Sequence, residues 1–241
     1  MKLQYNEGIT ERFANINEAF DYWYELLNNY CEKGDSRDGD IRGEIINATT
    51  IIEDPTRCVL DSCFRKANMR YAMGELLWYL SGNRNLKEIQ KITKNWDRFS
   101  DDGVTVNSNY GYCIMEKFGF NQFYFVVREL ANNPNSRRAI IHIKEPSQKD
   151  SKDINCTMTL QYLIRDGKLV AITNMRSNDL WYGFPYDVLC FSSLQVLLSM
   201  ILEVPLGVYI HNAGSLHLYE RNAMSEDELE RIKSGCTAEV K

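Results

Sequence analysis

Between residues 155 and 187 the chain sets a thiol, an Arg/Ser pair and two carboxylates within about three secondary-structure elements of one another. Cys156 stands in Asn155-Cys156-Thr157, Arg176 and Ser177 in Met175-Arg176-Ser177-Asn178-Asp179, and Asp187 closes Gly183-Phe184-Pro185-Tyr186-Asp187. A thiolate can attack carbon, a guanidinium beside a hydroxyl can hold an oxyanion, and carboxyl groups can read donors or move protons. The grouping reads as an active site.

Taken singly, each member has a plainer reading. Any one of seven cysteines is most often an inert core residue. The adjacent Arg137 and Arg138 would be a solvated face, and Asp187 could serve only the dipole of the helix it opens. Glu75 could belong to a buried ion pair, and Tyr110 and Trp96 could be core aromatics. Cys156 differs because it begins a strand after a polar loop and precedes the Arg/Ser/Asp cluster. Glu75 differs because a lone acid within an apolar helix needs a partner or a role. His217 and Tyr219, two apart on a strand, share one face, whereas His142 and His211 show no such context and read as structural.

The elements that would position these groups follow from hydrophobic period. Helices are predicted over Ile16 to Tyr30, with Asn17 as its cap, and over Lys66 to Leu80, Leu86 to Thr93, Phe120 to Ala131 and Phe184 to Glu203. The last is long and mostly apolar, hence central. Strands are predicted over Ile45 to Glu53, Ala139 to Lys144, Thr157 to Ile164, Lys168 to Asn174 and Val208 to His217, with Arg165-Asp166-Gly167 as a hairpin. Glu32 to Asp40, polar with two glycines, reads as a mobile loop. This order predicts one α/β (α+β) domain over 1–241, a mixed sheet with one long buried helix.

Composition narrows the partners. The chain is 44% hydrophobic, enough for one large core, and its net charge of −5 is well mixed, so no basic face is on offer to duplex nucleic acid. The odd number of cysteines, without metal-ligand spacing, points to a reducing cytoplasm and no metal. The first residues lack a signal core, and the longest apolar stretch, Val188 to Ile210, is interrupted by Gln195, Glu203 and Pro205, so no membrane span is expected.

Together with Asn135-Ser136-Arg137-Arg138 and Gly214-Ser215-Leu216-His217-Leu218-Tyr219, the pattern from Arg37 to about Asn222 resembles the thymidylate synthase superfamily, and within it the cytidylate 5-hydroxymethylase branch. The resemblance implies a homodimer of face-to-face sheets, 5,10-methylenetetrahydrofolate as co-substrate, and a pyrimidine nucleoside monophosphate as acceptor. By the same resemblance Cys156 is the nucleophile at C6 of the base, and Arg176 with Ser177 binds phosphate, joined by Arg137 and Arg138 from the partner subunit. Arg37 matches a further phosphate arginine, with Arg42 as second choice. Glu75 organises water and proton transfers, Tyr110 lies near the C5 proton, and His217 and Tyr219 bind the ribose 3′-hydroxyl. Asp179 meets the pterin, Trp96 the folate methylene, and Gly183 is grouped with the folate site.

Asp187 decides the base. Uracil offers an N3–H donor and an O4 acceptor, which an amide complements; cytosine offers an N3 acceptor and an N4 donor, which a carboxyl group fits. Synthases of the superfamily carry Asn in this position and cytidylate hydroxymethylases carry Asp. Asn155, Thr157 and Met175 replace the usual synthase proline, histidine and glutamine, and the residues after Tyr219 lack the synthase tail pattern. The expected product is therefore 5-hydroxymethyl-dCMP or 5-hydroxymethyl-CMP, the sugar being undetermined. Thymidylate synthesis from dUMP, a dUMP hydroxymethylase, and a non-catalytic nucleotide or RNA binder are the competing readings, the last opposed by the joint presence of Cys156, Glu75 and Arg176.

Overall fold

The computed structural model describes residues 7–239 apart from 30, 32 and 37, with side chains up to residue 235. In chain order the elements are β1 (Thr10–Phe13), α1 (Ile16–Asn29), β2 (Gly34–Ser36), β3 (Gly39–Ile52), α2 (Met69–Leu80), α3 (Leu86–Gln90), α4 (Tyr110–Met115) and α5 (Gln122–Asn132). They continue as β4 (Ile140–His142), β5 (Thr157–Arg165), β6 (Lys168–Met175), β7 (Asn178–Asp179), α6 (Phe184–Leu202), β8 (Leu206–Tyr219) and α7 (Glu226–Glu239).

The described strands form a mixed sheet in the order β1-β3-β8-β6-β5-β4, with β2 on β3 and β7 on β8. β3 and β8 run antiparallel along nearly their whole length, and β6 lies parallel to β8. The hairpin from β5 to β6 closes with Arg165 opposite Lys168, and both residues between them, Asp166 and Gly167, have positive φ (51° and 71°). That is the backbone a two-residue turn needs to match strand twist, and an Asp-Gly pair supplies it at low cost.

Alternation along the central strands separates two faces. Tyr209, His211 and Thr173 point to the side covered by α6, where Phe184 packs edge-on against His211 at 5.3 Å. On the other side Thr49, Asn212, Asn174 and Thr159 are in register across β3, β8, β6 and β5 and join in one hydrogen-bonded row (2.9, 3.0 and 3.1 Å). This helix-free face also carries Ile46 and Met158, both exposed.

The larger apolar cluster lies between α1, the sheet and α6 and includes Trp23, Phe20, Ile45, Phe184 and Leu218. Each such side chain stabilises the fold by about 1.5–3 kcal/mol relative to exposure, and Trp23 satisfies its indole N–H on Thr50 Oγ1 at 2.9 Å. A second cluster joins α2, α3 and the start of α6 through Trp78, Tyr79, Ile89 and Cys190. α6 is long and apolar enough to cross a membrane by length alone, but half of that stretch is buried inside this fold.

The structure corrects several sequence expectations. Asn15, not Asn17, caps α1: its Oδ1 accepts from the amides of Asn17 and Glu18, while Asn17 Oδ1 accepts from the amide of Asp61. Where the sequence reads as a mobile loop, Gly34–Ser36 pairs antiparallel with residues 39–41. β3 starts at Gly39 because its first residues pair with β2, and from Ile41 onward with β8, so pairing recruits polar residues that alone carry no strand signal.

Candidate active site

Cys156 immediately precedes β5 and Arg176 immediately follows β6, so the antiparallel pairing of these strands makes them neighbours. The Arg176 amide donates to the Cys156 carbonyl at 2.8 Å. Its guanidinium reaches back along the same loop, with Nε donating to the Asn155 carbonyl at 3.2 Å and Nη2 to that of Ile154 at 2.8 Å. Burial pushes the Cys156 thiol up to about 11; Arg176 pulls it down, and Asp187 and Asp153 add to the rise. Ser177 follows, half-buried, before β7.

Asn155 locks the Cys156 loop to a second motif. Its Nδ2 donates to the Ser108 carbonyl at 2.7 Å, and its Oδ1 accepts from Gln148. Asn109 then caps α4 by accepting from the Tyr112 amide at 2.6 Å, which sets Tyr110 at the first helical position. The Tyr110 ring lies between Tyr79 (centroids 5.2 Å apart) and Phe191 (5.6 Å). Asp187 and Cys156 are the charged neighbours that, after burial itself, raise its phenol further. Gly111 makes this approach possible, since a Cβ there would lie 1.9 Å from the Tyr79 carbonyl oxygen.

Glu75 is buried on α2, and its Oε1 accepts from two phenols one helical turn to either side, Tyr71 at 2.7 Å and Tyr79 at 3.1 Å. Desolvation raises its pKa to about 7, with the two hydrogen bonds opposing the rise. Trp96 donates from Nε1 to Tyr71 Oη at 3.2 Å and packs edge-on with Trp78 and Phe99. It therefore joins the aromatic wall that leads to Glu75.

Asp187 lies in the first turn of α6, and burial, followed by the Glu75 charge, drives its pKa well above the ordinary carboxylate range. The helix dipole does not decide its state. Asn178 Nδ2 donates to Asp187 Oδ2 at 2.8 Å. Gly183, the residue before α6, admits this contact, because a Cβ there would sit 2.8 Å from Asn178 Nδ2. Behind Asn178 stand His211, whose Nε2 lies 3.0 Å from Asn178 Oδ1, and Tyr209, whose Oη lies 2.9 Å from both His211 Nδ1 and Thr173 Oγ1.

β7 pairs with β8 so that Asp179 is opposite His217. Burial pushes both toward their neutral forms, Asp179 up and His217 down, against their mutual attraction. Asp179 Oδ1 accepts from the Trp181 amide at 2.8 Å. His217 and Tyr219 meet edge to face at 5.0 Å, and the Arg221 guanidinium covers the Tyr219 ring at 4.1 Å.

The remaining sequence candidates lie apart. Arg37 falls outside the described residues; at the neighbouring position Arg221 Nη1 donates to the Asp38 carbonyl at 3.2 Å. Arg42 is occupied elsewhere: Nε donates to the Asn28 carbonyl at 2.7 Å and Nη1 pairs with Glu220 at 3.6 Å. Arg137 and Arg138 precede β4 beside the far end of β5, with Arg138 paired to Glu129 at 3.1 Å. Within one chain that is roughly 20 Å from Cys156 at about 3.3 Å of rise per residue.

Sequence reading does not single out Tyr71, Tyr79 or Asn178, and it treats His211 as structural. The two tyrosines were recoverable from their spacing of four residues around Glu75. No His/Cys/Asp/Glu cluster suited to a metal occurs among the described residues. What is assembled is a half-buried thiol, a guanidinium at its loop, two acids whose pKa values burial raises, and a His/Tyr pair beside a third acid.

Comparison with known proteins agrees with this chemistry. A family model described as thymidylate synthase matches residues 23–238. The deoxycytidylate 5-hydroxymethyltransferase of Enterobacteria phage T4 is 35% identical over 196 residues, covering 74% of this chain and 76% of the relative. A thymidylate synthase of Bacillus mojavensis is 29% identical over 192 residues, covering 73% and 69%. Among solved structures, thermostable thymidylate synthase A of Bacillus subtilis superposes with a TM-score of 0.76 at 23% identity, covering 90% of this chain and 84% of that one. The T4 phage thymidylate synthase superposes at 0.70 and 22% identity, covering 84% and 76%.

Proposed function

Because the chain belongs to the thymidylate synthase family, we propose that it hydroxymethylates C5 of a cytidine monophosphate, dCMP or CMP. The family's coarse chemistry is folate-dependent one-carbon transfer to C5 of a pyrimidine nucleotide. The observation that carries the finer reading is Asp187, a carboxyl group whose pKa burial drives well above the ordinary carboxylate range and that Asn178 holds in place.

Arg176 and Ser177 hold the phosphate, joined by Arg37 and by Arg137 and Arg138 of the second subunit, because a guanidinium fork matches a phosphate dianion. The helix-free sheet face with its Thr49 to Thr159 polar row is the surface on which two subunits stack. His217 and Tyr219 take the 3′-hydroxyl. Protonated Asp187 donates to N3 and accepts from the N4 amino group, which pulls electrons from C6. Cys156, as thiolate, bonds to C6, and the C5=C6 electron pair becomes available at C5.

When bound, methylenetetrahydrofolate supplies the one-carbon electrophile, positioned by Asp179 and by the Trp96 wall, with Gly183 leaving room at the start of α6. Glu75, with a pKa near 7, gives and takes protons at the base and orders the water that adds to the methylene on C5 after C5 has lost its proton and the carbon–nitrogen bond to tetrahydrofolate, the leaving group, has broken. Tyr110 lies beside the C5 proton that is lost. Expulsion of Cys156 from C6 then restores the ring.

The reading is supported by the 35% identity to a protein named for dCMP hydroxymethylation. Its test is mass spectrometry of products after incubation with methylenetetrahydrofolate and, separately, dCMP, CMP or dUMP. Gain of one CH2O unit on a cytidine nucleotide is the expected result and settles the sugar. Gain of CH2 on dUMP would mean a thymidylate synthase, and CH2O on dUMP a uridylate hydroxymethylase.

A further inference from the structure

The row of buried polar groups behind Asp187 has a direction. Thr173, Tyr209, His211 and Asn178 are all at most 2% exposed, so bulk water does not complete their hydrogen bonds. Asn178 turns its Nδ2 to Asp187 Oδ2 at 2.8 Å, and its Oδ1 therefore faces His211 Nε2 at 3.0 Å. An amide oxygen needs a donor there, so Nε2 carries the hydrogen. Burial lowers the His211 pKa to about 3, which keeps the ring neutral, so Nδ1 is bare and must accept from Tyr209 Oη at 2.9 Å. A phenol has one hydrogen; with it committed to His211, the contact of 2.9 Å with Thr173 Oγ1 is satisfied by the threonine hydroxyl acting as donor. Every link donates toward Asp187.

We propose that Tyr209 and His211 are positioning residues that select the base, by fixing the Asn178 amide so that Asp187 Oδ2 only accepts and its proton resides on Oδ1. This rests on the cytidylate reading and deepens it. With the proton on Oδ1, Asp187 can donate to N3 of cytosine. Reversal of the row turns the Asn178 oxygen toward Asp187 and draws the proton onto Oδ2. The free oxygen is then only an acceptor, which suits the N3–H of uracil and opposes N3 of cytosine. The two polarities thus recognise different bases with the same residues, and Tyr209 acts through His211 without touching the nucleotide.

Two measurements test this. The first is ¹⁵N NMR of the histidine rings in the nucleotide-free enzyme, with His211 assigned by its disappearance in His211→Gln. The expected spectrum is the neutral Nε2–H tautomer; an Nδ1–H tautomer overturns the polarity. The second is the ratio of kcat/KM for the cytidine nucleotide to that for dUMP in Tyr209→Phe, with thermal melting to verify folding. Loss of the phenol donor leaves the His211 tautomer unset, and the ratio is expected to fall at least tenfold. A structural role alone would lower both substrates equally, and that result overturns the proposal. A wild-type enzyme that turns over dUMP and no cytidine nucleotide would overturn the functional reading and the base assignment together, whereas the tautomer, read without nucleotide, still decides the polarity.

Discussion

Arg176 grips Cys156 through the backbone: its amide donates to the Cys156 carbonyl at 2.8 Å while its guanidinium holds the two preceding carbonyls. The guanidinium thus lies against the loop that carries the thiol and favours the thiolate, but burial wins and leaves the pKa near 11. With a pKa near 11 only about one thiol in ten thousand is ionised at pH 7.

Cys156 in the free enzyme should therefore be alkylated slowly at neutral pH, faster by about tenfold per pH unit up to about 11. Arg176→Met removes the positive charge that lowers this pKa, and the rate at a fixed pH below 11 should fall by about tenfold. Iodoacetamide labelling followed by peptide mass spectrometry separates Cys156 from the free thiols of Cys31, Cys58, Cys113 and Cys190. Faster labelling of the variant would contradict this electrostatic account.

Glu75 makes stability pH-dependent. Its folded-state pKa of about 7 stands above the ordinary 4.5, so between these values the folded chain holds a proton that the unfolded chain has lost. The stability is fully present below pH 4.5 and is lost as pH rises through 7, by about 3 kcal/mol in total. Glu75→Gln stays neutral and should be more stable than wild type at pH 8 by about that amount and equal to it at pH 4, read by urea unfolding. On the proposed role of Glu75 in proton transfer, turnover in the same variant should drop by about 10² to 10⁴.

Tyr71 holds the ionised form of Glu75 through its 2.7 Å bond. Tyr71→Phe removes that bond and should move the Glu75 limb of the pH–rate profile upward by about one unit, because a hydrogen bond to a charged group contributes about 1.5–3 kcal/mol and part is recovered by Tyr79. An unmoved limb would show that the limb belongs to another group.

Much of this site was legible because its residues come in local runs. Arg165-Asp166-Gly167 announced the turn that brings Cys156 and Arg176 together, and the alternation of His217 and Tyr219 announced their common face. Strand pairing between distant segments left no such trace. His211 looked like a core histidine because its partner Asn178 is 33 residues away and is fixed by β7 pairing with β8. Asn17 looked like the cap of α1 because one Asn resembles another until the tertiary contact with Asp61 is known.

The amide at position 187 should recognise the other base. In Asp187→Asn the Asn178 Nδ2 still finds an acceptor oxygen, and the new N–H group faces the ring. It complements O4 of uracil and opposes the N4 amino group of cytosine, a reversal of about 1–3 kcal/mol per base edge. The cytidine-to-dUMP ratio of kcat/KM should therefore fall by roughly tenfold to a hundredfold, measured with each nucleotide alone. Unchanged preference would remove Asp187 from base recognition.

Gly111 tests whether the approach of α4 to α2 sets the site. A methyl group there would stand 1.9 Å from the Tyr79 carbonyl oxygen and 2.5 Å from its carbon, both backbone atoms that cannot rotate away. The helices must separate, and overpacking of this kind costs about 1–3 kcal/mol. Tyr110 rides on α4 next to Gly111, and Tyr79, which bonds Glu75, rides on α2. Gly111→Ala should therefore lower the melting temperature and also reduce kcat, because the Tyr79 and Tyr110 rings lose their 5.2 Å approach. Gly235→Ala, where an added Cβ meets open space, is the control and should leave both unchanged. A Gly111→Ala enzyme that melts earlier yet keeps full turnover below its transition would show that turnover does not depend on the approach of Tyr79 and Tyr110.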